Sequence, residues 1–250
     1  MKPPPFEYHA PTSVEEACEL LASLEDAKVL AGGQSLIPLL NFRLARPQHL
    51  VDINRIRDLD RISERDGGVA VQALVRQSAI EDSELVARVC PLLRDAVGLV
   101  AHRVIRNRGT VCGSIAHADP ASELPAVLLA LGGSVTAVST RGRREIPAAE
   151  LFRGVFETSL QPDELLVEAW FPASPKPFAI LEESRRHGDF ALAGAVRSGE
   201  KLALFGVAPT PVLADPRDPA RGLEPSGDLE ATRDFRLHLV RVLVEKAFAA

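Results

Sequence analysis

Glycine and proline punctuate this chain so densely that most of its regular elements must be short. Seventeen glycines and nineteen prolines are spread over 250 residues; glycine frees the backbone at turns, and proline withholds a donor and fixes φ. Few aromatics accompany them, so a mixed α and β protein is expected rather than a long helical bundle. A hydrophobic content of 46% supplies a sizeable core, and the length suits two domains. The net charge of -5 gives no general attraction to a phosphate backbone, which argues against nucleic acid as a partner. Cys18, Cys90 and Cys112 are too scattered for a CxxC zinc or iron-sulfur site and read as free thiols of a reducing cytoplasm. Met1 to Pro5 lacks the apolar run of a signal peptide, and no stretch reaches the ~18 apolar residues of a bilayer span.

Thr12 and Ser13 ahead of Glu15 and Glu16 form a capping box, and Val14, Ala17, Cys18, Leu21 and Leu24 follow at helical spacing. Lys28 to Ala31 reads as a strand cut off by Gly32-Gly33, and Leu36 to Leu40 as a short helical segment. His49 to Ile53 and Gly68 to Val75 read as strands, the second introduced by an Asp66-Gly67 turn. Ser78 to Ala101 is helical in pattern, with Pro91 opening a helix, and Ala126 to Leu131 is a buried helix ended by Gly132. Ser134 to Thr140 and Leu165 to Phe171 are expected strands, with Arg141 to Arg144 in a turn. Pro172, Pro175 and Pro177 mark a domain connection. Beyond it, Phe178 to Glu182, Phe190 to Arg197 and Leu202 to Val207 suggest a small antiparallel sheet. Residues 209–227 read as a loop, and Leu229 to Ala249 as a terminal helix.

Two segments rich in small residues carry the functional signal: Ala31-Gly32-Gly33-Gln34-Ser35-Leu36 and Thr110-Val111-Cys112-Gly113-Ser114-Ile115. Short or absent side chains let backbone amides approach a pyrophosphate, and Ser and Thr hydroxyls add hydrogen bonds. Neither segment fits GxGxxG or GxxxxGK[ST], which excludes a Rossmann fingerprint and a Walker loop. No Ser, His and Asp or Cys and His arrangement nominates a nucleophile or general base, so no catalytic residue is expected. His102, His117 and His187 each lack a second ligand at metal spacing, and no metal is expected. Arg103, Arg106 and Arg108 could face phosphates or a partner, and surface positions on a helix end suit them equally.

The full text of these segments is more specific than their glycines. Phe6 to Tyr8, Ala31 to Pro38, Arg43 to Ile53, the run Ile105 to Pro125 and Arg185-Arg186-His187-Gly188-Asp189-Phe190-Ala191-Leu192 together resemble the medium, flavin-carrying subunit of the xanthine dehydrogenase and carbon monoxide dehydrogenase family. The resemblance implies an α+β fold. Residues 1–173 would be a two-part FAD-binding domain of the vanillyl alcohol oxidase and para-cresol methylhydroxylase type, with subdomains of about 1–55 and 56–173. Residues 177–250 would be a small α+β domain, a short antiparallel sheet plus a helix, that closes over the flavin. Carried over by position, Ala31, Gly32, Gly33, Gln34, Ser35 and Leu36, with Thr110, Cys112, Gly113 and Ser114, would enclose the FAD pyrophosphate. Glu123 would stand near the cofactor, with Ala101, Asp119 and Leu166 lining it. Asp189 and Phe190 stand where the family often has Asp-Tyr beside the isoalloxazine; Phe can stack but cannot donate the phenolic hydrogen bond.

The same resemblance implies an oxidoreductase subunit of a cytoplasmic complex. A large subunit would oxidise the substrate at a molybdenum cofactor, and a small subunit would carry two [2Fe-2S] clusters. This chain would relay electrons through FAD to NAD or another acceptor, in a dimer of heterotrimers. The holoenzyme's substrate, whether N-heterocycle, purine, aldehyde or carbon monoxide, stays open. Three departures bear on this. Cys112 replaces the first of two glycines, which would loosen the loop or require a negative φ. Glu182, Glu183 and Ser184 occupy a strand where relatives often carry a lysine facing the flavin, and carboxylates there would disfavour an anionic reduced flavin. The region from Pro209 to Arg233 is shorter than in typical relatives. Two other readings remain at this stage: a self-contained flavin oxidase, and a flavin-free scaffold of the same fold.

Overall fold

The computed structural model describes residues 1–249. The chain opens with a small parallel sheet built from β1 (Glu7–His9), β2 (Ala27–Leu30) and β3 (His49–Asp52), in the order β1-β3-β2. Helices α1 (Val14–Ser23) and α2 (Leu36–Asn41) make the crossovers. The capping box is present at α1: Ser13 Oγ accepts from the Glu16 amide at 3.1 Å, and Glu16 Oε2 accepts from the Thr12 amide at 2.7 Å. Ala17, Cys18 and Leu21 of its apolar face are buried.

Next comes a five-stranded antiparallel sheet in the order β4-β5-β10-β6-β7. Its first hairpin joins β4 (Ile62–Arg65) to β5 (Gly68–Gln72) through Asp66 and Gly67, both at positive φ as a two-residue hairpin turn requires. Six helices follow: α3 (Gln77–Glu81), α4 (Glu84–Val89), α5 (Pro91–Leu99), α6 (Arg103–Arg106), α7 (Val111–His117) and α8 (Glu123–Leu131). They lead into β6 (Ser134–Ser139), β7 (Gly142–Pro147), the short α9 (Ala148–Leu151), the hairpin β8 (Phe152–Gly154) and β9 (Glu157–Thr158), and β10 (Leu165–Pro172). Every residue of α8 is buried, and Gly132 ends it at φ +74° as a left-handed cap. Gly98 in α5 has no atom within 4 Å of where a Cβ would stand. Gly98→Ala is therefore expected to raise the unfolding free energy by about 0.5–1 kcal/mol through helix propensity alone, read from the urea midpoint.

The last third is a four-stranded antiparallel sheet, β11 (Phe178–Ser184), β12 (Ala191–Ser198), β13 (Lys201–Phe205) and β14 (Val212–Ala214), followed by α10 (Arg233–Ala249). Side chains of β13 alternate with the pleat: Ala203 and Phe205 join the core that contains α8, and Leu202 and Leu204 pack with Leu239, Val240 and Leu243 of α10. Two buried arginines dock α10 on the sheet. Arg236 donates to the carbonyls of Leu192 and Gly206 and pairs with Asp228 at 2.6 Å, and Arg197 donates to the Ala247 carbonyl at 3.0 Å.

Several expectations change. Thr110 to Ile115 is the start of helix α7 rather than an open turn, and Arg143 and Arg144 lie in β7 rather than in the turn before it. Strand β7 carries Arg143, Arg144 and Glu145 on a sheet edge, so charge hides its pattern. Val212–Ala214 adds a short edge strand inside the expected loop, and the terminal helix begins at Arg233 while Leu229 is fully exposed.

Candidate functional site

Strand β2 ends at Leu30, and the chain turns through Ala31, Gly32 and Gly33 into α2. Gly33 sits at φ +74°, a region that costs an L side chain roughly 1–2 kcal/mol. Gly32 meets the chain just ahead of the second segment: a Cβ there would lie 2.5 Å from the Arg108 carbonyl oxygen and 2.9 Å from Gly109 Cα. The fold thus brings together two segments that are distant in sequence. Along Gly33 to Leu36 no amide donates to a protein acceptor among the described residues, and Ser35 makes no capping bond. The Ala31–Gln34 stretch, Ile37, Asp52, Asn54 and Arg108 line a cleft of about 340 Å³. A smaller depression of about 230 Å³ at Pro3 to Pro5, Arg43 and Arg46 shares no residue with it.

Asn54 and Arg76, which carried no signal in the sequence, latch the two segments. Asn54 donates to the Ala31 carbonyl at 2.8 Å and accepts from Arg76 Nη2 at 2.7 Å, while Arg76 Nη1 donates to the Arg108 carbonyl at 2.7 Å. Asp52 orients Asn54 by accepting from its side-chain amide at 2.6 Å, and Asp52 in turn accepts from the Tyr8 hydroxyl at 2.6 Å. Burial and the neighbouring Arg108 cation pull Arg76 below its ordinary pKa, and the Asp52 carboxylate opposes them. Of the other basic residues, Arg103 pairs with Asp82 at 2.5 Å. Arg106 is buried against Glu81 at 3.0 and 3.1 Å and donates to the carbonyls of Val100 and Ala101. Both brace the approach to α7, and only Arg108 of the three reaches the cleft.

Thr110 caps α7, its Oγ1 accepting from the Gly113 amide at 3.0 Å, and the Val111 amide bonds back to Val75. Cys112 points the other way. Its thiol is 2% exposed, donates to the Val71 carbonyl at 3.4 Å, and is pushed well above the usual thiol range by burial. A helical backbone accommodates its Cβ. Ser114 lies two residues on, half-buried, and none of Thr110 to Ser114 lines the cleft.

Glu123 and Asp119 gather at a second station. Asp119 accepts from the Ala121 amide at 2.9 Å. Glu123 opens α8 at 9% exposure, and burial pushes its carboxyl up to about 8, with the Glu182 and Asp119 charges adding to the effect. Glu182, on β11, is itself pushed up to about 7 by burial, and its Oε2 is buried without a hydrogen-bond partner. At a third station Gly188 packs on the His102 ring, where a Cβ would come within 2.6 Å, so the loop that carries Asp189 and Phe190 is anchored next to the residue that follows Ala101. Phe190 is 69% exposed, and the His102 and His187 rings stand 5.6 Å apart. Leu166 joins none of these, being buried opposite Ala137 in the β10–β6 ladder.

The family model described as the FAD binding domain in molybdopterin dehydrogenase matches residues 4–174. The chain belongs to the FAD-binding medium-subunit family of the molybdenum hydroxylases. It is 40% identical to the alpha subunit of the 6-hydroxypseudooxynicotine dehydrogenase complex of Paenarthrobacter nicotinovorans, over all of this chain and 95% of the relative. It is 36% identical to the carbon monoxide dehydrogenase medium chain of Hydrogenophaga pseudoflava, over all of this chain and 98% of that one. The solved structure of carbon monoxide dehydrogenase from that organism superimposes with a TM-score of 0.94, at 36% identity, covering 100% and 98% of the two chains. Quinoline 2-oxidoreductase from Pseudomonas putida 86 gives 0.93 at 33% identity, covering 100% and 97%. As a medium subunit the chain is part of an oxidoreductase, and FAD is its cofactor. The alignment to the first relative spans 281 positions against 250 residues here, so this member is the shorter of the two. No helix among the described residues is long and apolar enough to cross a membrane.

Proposed function

We propose that this subunit holds FAD with its diphosphate in the cleft between Ala31–Gln34 and Arg108, beside the start of α7, and relays electrons between partner subunits and a final acceptor. The observation that carries the reading is the closure of Gly32 on Arg108 and Gly109, which sets undonated amides and a free cation around one cleft. A diphosphate needs that combination, and Asp52, the one carboxylate in the lining, is taken up by hydrogen bonds from Tyr8 and Asn54. When bound, FAD supplies the redox chemistry, accepting electrons and passing them on. The chain's own residues do the rest. Gly33 to Leu36 would donate to the diphosphate, Arg108 would balance its charge, and Asn54 and Arg76 would hold both segments in place. Cys112 would contribute backbone only. Phe190 would cover the ring system from the closing sheet, near Ala101 and Asp189. Glu123, with Asp119 and Glu182 beside it, would hold a proton close to the cofactor near neutral pH.

On this reading the molybdenum cofactor and [2Fe-2S] clusters reside on a large and a small partner subunit in the cytoplasm, in a dimer of heterotrimers, and NAD or another acceptor receives the electrons. The relatives' names span a nicotine derivative, quinoline and carbon monoxide, which supports placing substrate choice outside this chain. We also propose the division 1–173 and 177–250, with the missing length between residues 209 and 233. The separate apolar cluster under α10 supports it.

Purifying the chain from its host with whatever accompanies it tests the reading. One FAD per chain is expected, with molybdenum and iron confined to co-purifying polypeptides. A colourless preparation would support a flavin-free scaffold instead, and turnover of a small substrate by the chain alone would support a self-contained oxidase.

A further inference from the structure

The parallel sheet at the start of the chain gathers three metal-ligating side chains, none of which lines the cleft. Glu7 and His9 are two residues apart on β1 and so share one of its faces, and the parallel register sets Glu7 opposite His49 of β3. His9 Nε2 lies 3.2 Å from His49 Nδ1, and His49 Nδ1 lies 3.5 Å from Glu7 Oε2. One ligand atom from each of the three falls within 4.8 Å of the other two. Two donors bound to a tetrahedral zinc ion at ~2.0–2.1 Å stand about 3.3–3.4 Å apart. Two of the three separations, His9 to His49 and His49 to Glu7, therefore already match the edge of such a coordination shell.

Hydrogen bonding accounts for the cluster only in part. His49 Nδ1 faces both the His9 nitrogen and the Glu7 oxygen, and a neutral ring nitrogen can donate one proton or accept one, not serve both neighbours. A cation placed between them takes an electron pair from each. Imidazole with carboxylate is the donor set of zinc-class ions, whereas calcium and magnesium prefer oxygen throughout. We propose that Glu7, His9 and His49 form a binding site for a divalent ion of the zinc class, with the fourth position left to water. Bound there, the ion clips β1, a three-residue edge strand paired only to β3, onto the body of the protein.

Titration of the full chain with Zn²⁺ alone, followed calorimetrically, tests this. One equivalent is expected to bind in the micromolar range and to raise the melting temperature. Replacing a ligand should cost more than the ten- to hundredfold typical of groups that merely support one, so His9→Gln and His49→Gln are each expected to weaken binding by at least about a hundredfold. Glu7→Gln alters a side chain that is 75% exposed, so its folding is secure, and it too is expected to weaken binding by at least about a hundredfold. His238→Gln, on the exposed side of α10, should change nothing. Co²⁺ in place of Zn²⁺ should give the visible absorption of a four-coordinate site. Failure to take up one equivalent, or uptake that survives all three ligand substitutions, overturns the proposal.

Discussion

Gly32→Ala is expected to release FAD while leaving most of the chain folded. The added methyl would stand 2.5 Å from a main-chain oxygen and 2.9 Å from a main-chain carbon, and backbone cannot swing aside as a side chain does. Overpacking of this kind costs about 1–3 kcal/mol. The strain is relieved by parting the two segments that line the cleft, so it falls on affinity, as a loss on the order of ten- to a hundredfold. The other glycines of the cleft should matter less. A Cβ at Gly33 would meet only the ends of Ile37 and Leu30, leaving roughly 1–2 kcal/mol of backbone strain. One at Gly113 would displace the Thr110 hydroxyl and remove a cap worth about 1 kcal/mol. Asn54→Ala should fall between, since it frees the Ala31 carbonyl and Arg76 together. Flavin fluorescence on dilution ranks these variants, and a Gly32→Ala chain that keeps FAD at the parent affinity refutes the placement of the diphosphate.

Glu123 makes the flavin-free chain lose stability as the pH rises. Unfolded, a glutamate ionises near 4.5; folded, Glu123 keeps its proton up to about 8 because it is buried. Between those values the folded chain binds more protons than the unfolded one, so stability falls through the window and levels off above it. At about 1.4 kcal/mol per pH unit, the loss is on the order of 5 kcal/mol. Glu182, pushed up to about 7, adds a smaller loss of the same sign. His117 opposes them, since burial lowers its pKa and its contribution is lost as the pH falls. Glu81, Asp82, Asp163 and Glu164 are held low by arginines and lose their contribution only in more acid solution. The decisive comparison is therefore with Glu123→Gln, which keeps the shape and removes the ionisation. Its urea midpoint is expected to match the parent near pH 4.5 and to exceed it increasingly towards pH 8. Parallel profiles for the two proteins would show that Glu123 ionises normally.

Local chemistry made much of the fold legible. The capping box at Ser13, the Asp66-Gly67 turn, Pro91 at a helix start and Gly132 at a helix end each act within a few residues, and each appears where the pattern placed it. Strand β7 and helix α7 escaped because neighbours far along the chain stabilise them. β7 is an edge whose charges answer Glu164 and Glu168, and α7 is anchored by Val75 and by the buried Val111 and Ile115.

The site divides in the same way. The small residues at Ala31 to Ser35 and Thr110 to Ser114, and the family text around them, stand in the sequence itself, because residue type and order need no tertiary contact to be read. Tertiary structure alone decided that Gly32 rather than Gly33 is the point of contact, that Asn54 and Arg76 hold the halves together, that Cys112 turns inward, and that Glu7 and His9 meet His49. Each of those outcomes depends on distances between segments that no local pattern encodes, and such distances exist only once the sheets have paired and the core has closed.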